Sequence, residues 1–142
     1  IGYRNKAAEI RVSTMAVVFG EKIVMRILNP DTLFQDLENI GLASSDLIRV
    51  NSFIAKPHGL IMVTGPTGSG KTTTLYSVLR SMADRGKNIT SIEDPVEMIC
   101  EDFNQIAVQP QIGVTFASSI RTILRQDPDI IMVGEVRDAE TA

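Results

Sequence analysis

The residues best suited to chemistry lie between Gly59 and Leu75, in the run Gly-Leu-Ile-Met-Val-Thr-Gly-Pro-Thr-Gly-Ser-Gly-Lys-Thr-Thr-Thr-Leu. Inside it, Gly65-Pro66-Thr67-Gly68-Ser69-Gly70-Lys71-Thr72 follows the phosphate-loop pattern, set between an apolar strand-like run and a helix-like run. Residues without Cβ atoms let several backbone N–H groups converge on one polyphosphate, and the following helix points its positive end at the same anion. Lys71 is expected to reach the β- and γ-phosphates, Thr72 to ligate Mg²⁺, and Thr73 to reach the α-phosphate. A nucleoside polyphosphate with Mg²⁺ is therefore the expected ligand pair. The plain alternative, a glycine-rich turn, fits the flanking strand and helix patterns less well.

Carboxylates supply the second kind of chemistry. Glu93-Asp94-Pro95-Val96-Glu97 follows one strand-like run, and Gly134-Glu135 follows the apolar run Ile130 to Val133. The latter has the look of a Walker B strand in which Gly stands for the usual Asp, so Mg²⁺ would rest more on Thr72, phosphate oxygens and waters. Glu135 is expected to orient or deprotonate an attacking water, with Glu93 as a second carboxylate nearby. Capping of the Pro95 turn is the competing role for Glu93 and especially for Asp94. Arg121 and Arg125 have helical spacing and are expected to share a face. Spacing alone leaves two uses open for them, charge stabilisation in phosphoryl transfer or a helix-end and surface role.

These groups need elements to hold them. From Gly59 onward the pattern alternates: a buried strand over 60–64, a helix over 72–83, strands over 88–93 and 104–109, a helix over 115–126, and a strand over 130–133. That alternation predicts an α/β fold with a mainly parallel sheet, in which ligands bind outside the carboxyl ends of the strands. The phosphate loop, Glu93 and Glu135 all fall at such ends.

The preceding part reads differently. Residues 8–14 and 21–28 alternate as two strands joined around Gly20, with Arg26 on a face shared with Val24 and Leu28. An arginine on an apolar face is odd, and snorkelling at a sheet edge is the plainer account. Asn29-Pro30-Asp31-Thr32 is a turn cluster suited to a linker. A short apolar piece around Leu33, Leu37 and Ile40 stops at Gly41, and a helix over 45–56 is expected to bury Leu47, Ile48, Phe53 and Ile54 before Pro57. His58 reads as a turn residue.

Composition narrows the class. The 142 residues are 44% hydrophobic and 22% charged with a formal net charge of −3, which gives no support for a surface that coats nucleic acid. No apolar run approaches membrane-span length, so no direct membrane insertion is expected and a cytoplasmic location is the default. Cys100 is the only cysteine, which rules out an internal disulfide or a cysteine-rich zinc site within this stretch. The chain opens at Ile1 without Met and ends without a terminating signal, so it is expected to be part of a longer protein.

Taken together, several segments resemble the secretion ATPases of type II secretion and type IV pilus assembly. They are 11–14 (Arg-Val-Ser-Thr), 20–26 (Gly-Glu-Lys-Ile-Val-Met-Arg), 65–75, 92–97 (Ile-Glu-Asp-Pro-Val-Glu), 112–117 (Ile-Gly-Val-Thr-Phe-Ala) and 124–138. The resemblance implies a RecA-like P-loop ATPase core over 44–142, joined by a linker at 29–43 to the end of a small PAS-like α+β domain at 1–28. It also implies a homohexamer working at the inner membrane through secretion or pilus platform proteins. Segment 92–97 matches the family's Asp box and 130–135 its Walker B. Arg11 and Arg26 match arginines that reach across the cleft toward the γ-phosphate, and Arg121 and Arg125 match arginines of the motor side. Where the family usually has Pro-Thr ahead of the Gly-Glu pair, this chain has Ala16-Val17-Val18-Phe19. The family's His box, and a four-cysteine zinc insertion, are expected beyond Ala142. The expected function is ATP hydrolysis by a motor for pseudopilus or pilus assembly. The competing readings are a nucleic-acid-dependent RecA-like motor, a nucleotide-sensing switch and a pilus-retraction ATPase.

Overall fold

A computed structural model of the chain describes residues 2–3, 6–7, 9–28, 35–83, 86–136, 139 and 141. The chain divides into two compact units, Ile1–Thr32 and Leu33–Ala142. Residues 29–34 of the expected linker, and Arg137 and Asp138 of the last matched segment, lie outside the described residues.

In the first unit β1 (Gly2–Tyr3) pairs antiparallel with β2 (Lys6–Ala7), and β3 (Glu9–Val17) with β4 (Gly20–Leu28). Val17 pairs with Gly20, so the hairpin turns on Val18 and Phe19 and not around Gly20. Met15, Ala16 and Val17 continue the ladder because apolar and β-branched residues suit a strand, and a two-residue connection is the tightest antiparallel link.

Register also revises the reading of Arg26. Its Cα partner is Arg11, and the pairs Ser13 with Val24 and Met15 with Lys22 fall on the same side. The opposite side carries Ile10 with Ile27, Val12 with Met25 and Thr14 with Ile23. Arg26 thus lies on the more polar face of the hairpin, a fact that one strand's alternation conceals because the partner strand supplies half of each face.

The second unit holds α1 (Ser44–Ile54), α2 (Lys71–Met82), α3 (Phe116–Ile123) and a parallel sheet of β5 (Ile89–Glu93), β6 (Asn104–Ala107) and β7 (Ile130–Val133) in the order β6-β5-β7. This is the expected α/β arrangement. Period-two alternation splits the sheet between two cores. Ile89 and Met132 pack with Tyr76 and Leu79 of α2, together with Cys100 and Phe103. Ile92, with Ile106, Ile131 and Val133, packs against Phe116, Ile120 and Ile123 of α3. Helices therefore cover both faces, as a parallel sheet requires. Thr115 caps α3 reciprocally: its Oγ1 accepts from the Ser118 N–H at 3.1 Å, while Ser118 Oγ accepts from the Thr115 N–H at 2.9 Å.

Asn88 ties the amino ends of the strands together. Its N–H donates to Asp129 Oδ2 at 2.7 Å, its Nδ2 donates to the carbonyls of Gln126 at 2.8 Å and Asp127 at 3.1 Å, and its Oδ1 accepts from Asn104 Nδ2 at 3.0 Å. A short 3₁₀ turn at Leu37–Asn39, inside the expected linker, buries Leu37 and packs on α2.

Two expectations fail here. Residues 60–64 join no ladder among the described residues, with Leu60 86% and Met62 74% exposed. An apolar run reports a taste for burial; a strand also needs a neighbour with free N–H and C=O groups in register. In α1, Ile48 is 69% and Phe53 56% exposed. The half-buried stripe is Leu47, Val50 and Ile54, spaced three and four residues apart, and Ile48 and Phe53 fall off it.

Candidate nucleotide-binding site

The phosphate loop is folded around its own lysine. Lys71 Nζ donates to the carbonyls of Gly65 and Pro66, each at 2.9 Å, and the Ser69 N–H closes a turn on Pro66 O at 3.2 Å. Gly65 is required by close approach: a Cβ there would meet Ser69 Oγ at 2.6 Å and Ser69 Cβ at 3.3 Å. Gly70 is the N-cap of α2, and the Thr74 N–H donates to its carbonyl at 2.8 Å as the helix begins. Lys71, Thr72 and Thr73 are half-buried in the first turn of α2, where the leading N–H groups have no intrahelical partner. That turn is built to receive an anion.

The carboxylates are positioned by β5 and β7. Ile92 is the register partner of Val133, so Glu93 and Gly134 close adjacent strands side by side. The Gly134 N–H donates to Ile92 O at 2.8 Å, and a Cβ on Gly134 would lie 3.1 Å from that oxygen and 3.5 Å from Glu93 Cα. A side chain at this position would therefore press on the β5 backbone. Glu135 follows, half-buried, at the carboxyl edge.

Glu93 is 4% exposed and fully engaged. Its Oε2 accepts from Tyr76 Oη at 2.6 Å and from the Glu97 N–H at 3.5 Å, and its Oε1 accepts from Ser91 Oγ at 2.6 Å and Gln105 Nε2 at 3.2 Å. Period two explains the meeting: residues 89, 91 and 93 of β5 face α2, where Tyr76 lies. Burial first, and then the Glu93 carboxylate, push the Tyr76 hydroxyl far above the ordinary phenol range, so it is a permanent donor. Burial also pushes the Cys100 thiol up, consistent with a passive side chain.

Other expected groups are placed elsewhere. Arg125 does not continue α3 alongside Arg121: the helix ends at its C-cap Leu124, and the Arg125 N–H turns back to Thr122 O at 3.1 Å. The next residue, Gln126, is held by Asn88 at the amino end of β5. The five residue steps from Asn88 to Glu93 span about 16 Å of strand, so Arg125 sits at the opposite edge of the sheet from the carboxylates. Local helical spacing could not reveal this, because the helix stops short. Arg121 is exposed on α3. Arg11 and Arg26 belong to the first unit, directly opposed across β3 and β4 and lining one shallow hollow with Ser13 and Val24. Two positive charges directly opposed across a ladder repel each other.

Tyr76 and Gln105 were not among the expected site residues. Their signal in the chain is slight: two polar residues at positions whose helix and strand periods turn them inward.

Among the described residues, no cluster of three or more His, Cys, Asp or Glu could hold a metal ion, and no helix is long and apolar enough to cross a membrane.

A family model described as "Type II/IV secretion system protein" matches residues 1–142. The chain is 47% identical over 142 residues to the "Putative type II secretion system protein E" of Escherichia coli, covering all of this chain and 28% of that protein. It is 49% identical over 139 residues to the "Type IV pilus assembly ATPase TfpB" of Acinetobacter baylyi, covering 98% of this chain and 24% of that protein. Among solved structures, the pilus retraction motor PilT with bound ADP superposes with a TM-score of 0.74 at 32% identity, over 99% of this chain and 40% of that one. The Legionella pneumophila ATPase DotB gives 0.74 at 28% identity with the same coverage. The chain thus spans about a quarter of the length of these curated relatives. Its α/β core is RecA-like, and the chain belongs to the type II/IV secretion system protein family.

Proposed function

We propose that this chain carries the ATP-binding core of a motor that hydrolyses ATP to drive pseudopilus or type IV pilus assembly. The single observation that carries the reading is the glycine loop and Lys71 opening α2, joined to a sheet whose β5 and β7 end on Glu93 and Gly134-Glu135. Lys71 now holds two neutral carbonyls; a polyphosphate offers it a charged and stronger acceptor in the same cradle. Thr72, in the first turn, is the group that would hold Mg²⁺. Mg²⁺ keeps several waters and takes phosphate oxygens as ligands, so one hydroxyl from the protein is a reasonable share of its shell. When bound, Mg²⁺ neutralises charge on the terminal phosphates.

In this reading Glu135 holds the attacking water and takes its proton, while Arg11 and Arg26 bring positive charge from the preceding domain to the γ-phosphate. Residues 1–28 are the end of that PAS-like domain, and 44–142 form the motor. Arg125, at the far edge of the sheet, is given no role at its own subunit's nucleotide. Arg121, exposed on α3, keeps the proposed role of an arginine on the motor side of the cleft, and the motor works as a homohexamer. Force reaches the inner membrane through platform proteins.

The retraction reading draws support from the likeness to PilT, but at 32% identity against 47% and 49% for secretion and assembly relatives. Assembly or secretion is therefore favoured. In the full-length protein, Lys71→Ala is expected to abolish nucleotide binding, and Glu135→Gln to keep binding while hydrolysis stops. A normal hydrolysis rate in the Gln variant would remove Glu135 from its role.

A further inference from the structure

We infer that Tyr76 is a positioning residue for hydrolysis, its hydroxyl holding the Glu93 carboxylate in place at the carboxyl end of β5. This rests on the ATPase reading above.

The Glu93 carboxylate is a buried charge met by donors from four places: Tyr76 of α2, Ser91 of β5, Gln105 of β6 and the backbone N–H of Glu97. Gln105 extends the cluster: the two hydrogens of its Nε2 are shared among Glu93 Oε1, Met98 O at 2.9 Å and Tyr76 Oη at 3.1 Å, and its Oε1 accepts from the Cys100 N–H at 2.7 Å. Burying a charge only to join elements is a poor bargain, since an apolar contact of similar volume does as well or better. The cluster's location gives it a use. Tyr76 lies five residues beyond Lys71, about 7.5 Å along the helix axis, so it moves with the helix that the phosphate loop opens.

On its other side Glu93 abuts Gly134. The position of a Gly134 Cβ is 3.5 Å from Glu93 Cα and 3.7 Å from Glu93 Cγ. A continuous series of contacts therefore runs from Lys71 through α2, Tyr76 and Glu93 to the Gly134-Glu135 segment. With both carboxylate oxygens accepting hydrogen bonds and 4% exposure, Glu93 is held in one orientation, which suits a positioning role better than that of the group meeting the attacking water. It positions, Tyr76 positions it, and the base is Glu135.

The test uses the full-length protein, with ATP hydrolysis expressed per site that binds nucleotide. Tyr76→Phe keeps the ring packed beside Phe103, at 6.2 Å between centroids, and removes the hydroxyl alone. Its kcat per occupied site should fall about tenfold, the effect of one lost bond to a charged acceptor, with KM for ATP unchanged. The double variant with Glu93→Gln should be no slower than Glu93→Gln alone, because the two residues act as one unit. An unchanged kcat per occupied site in Tyr76→Phe overturns the inference even if the melting temperature drops, since a purely structural hydroxyl affects only the number of folded sites. Multiplying effects in the double variant overturn it as well.

If Tyr76→Phe does not fold, Ser91→Ala removes the donor on the other oxygen. The same loss of kcat at constant KM supports the inference, and no loss overturns it. A normal rate in Glu135→Gln beside a tenfold loss in Tyr76→Phe would overturn only the choice of base and leave the positioning role supported. Normal rates in both would overturn both.

Discussion

The backbone N–H of Gly134 donates to the carbonyl of Ile92 at 2.8 Å, and any Cβ on Gly134 would come within 3.1 Å of that same oxygen. The ladder between β5 and β7 continues one residue past the strand by excluding a side chain. Gly134→Ala, and more so Gly134→Asp, is expected to destabilise the protein by about 1–3 kcal/mol, as overpacking does. Urea denaturation checks this, and an unchanged midpoint for the Asp variant would show that β5 and β7 can separate without cost.

Gly65 and Ser69 make a second close approach, with 2.6 Å between a notional Cβ and Ser69 Oγ. Gly65→Ala is expected to weaken nucleotide binding about tenfold, since Ser69 must turn away and a φ of +155° strains any side chain. Adding Ser69→Ala should restore part of that loss, because the nearest atom is then gone. Titration with a fluorescent ATP analogue distinguishes the two variants; equal affinities would mean that backbone strain, not Ser69, sets the requirement for glycine.

Asn88 is the pin at the amino edge of the sheet, with its amide spanning the carbonyls of Gln126 and Asp127. Asn88→Ala should cost about 1–2 kcal/mol for the lost bonds. Asn88→Asp should cost more, because it sets an anion against two carbonyl oxygens and beside the Asp129 carboxylate, which already accepts from the Asn88 N–H. Thermal melts give the order, and an Asp variant as stable as the parent would contradict it.

Tyr76 makes stability depend on alkaline pH. The ordinary phenol value is 10.0, and burial followed by the Glu93 carboxylate holds Tyr76 above it. Above pH 10 the unfolded chain loses this proton while the folded chain keeps it, so the unfolded state binds fewer protons and stability falls as pH rises. The contribution is intact below pH 10 and declines by about 1.4 kcal/mol per unit above it. Tyr76→Phe should remove one proton's worth of that slope. Parallel urea midpoints for parent and variant between pH 9 and 11 would refute the assignment.

Much of the second unit was legible in the chain. Helices at 71–82 and 116–123 and strands at 89–93, 104–107 and 130–133 fall within a few residues of their expected places, because each has a periodic apolar face and a turn signal at its end. The run at 60–64 misled because composition measures a preference for burial, and ladder pairing is a property of the neighbour. The run at 124–126 misled in the other direction, since helical spacing continues through residues that the chain uses to turn.

The candidate site divides in the same way. By itself the sequence determined the phosphate loop, because its function resides in contiguous backbone whose shape follows from glycine spacing and a following helix. It also determined that Glu93 and Glu135 stand at strand ends, since strand length is written locally. Only the tertiary structure decided that Glu93 is buried and bonded to Tyr76, Ser91 and Gln105, that a side chain at Gly134 would crowd the β5 backbone, that Arg26 opposes Arg11 on the polar face of the hairpin, and that Arg125 lies at the sheet's other edge. Each of those facts depends on which residues from distant parts of the chain come into register. Register is set by packing two faces at once, and no single segment records it.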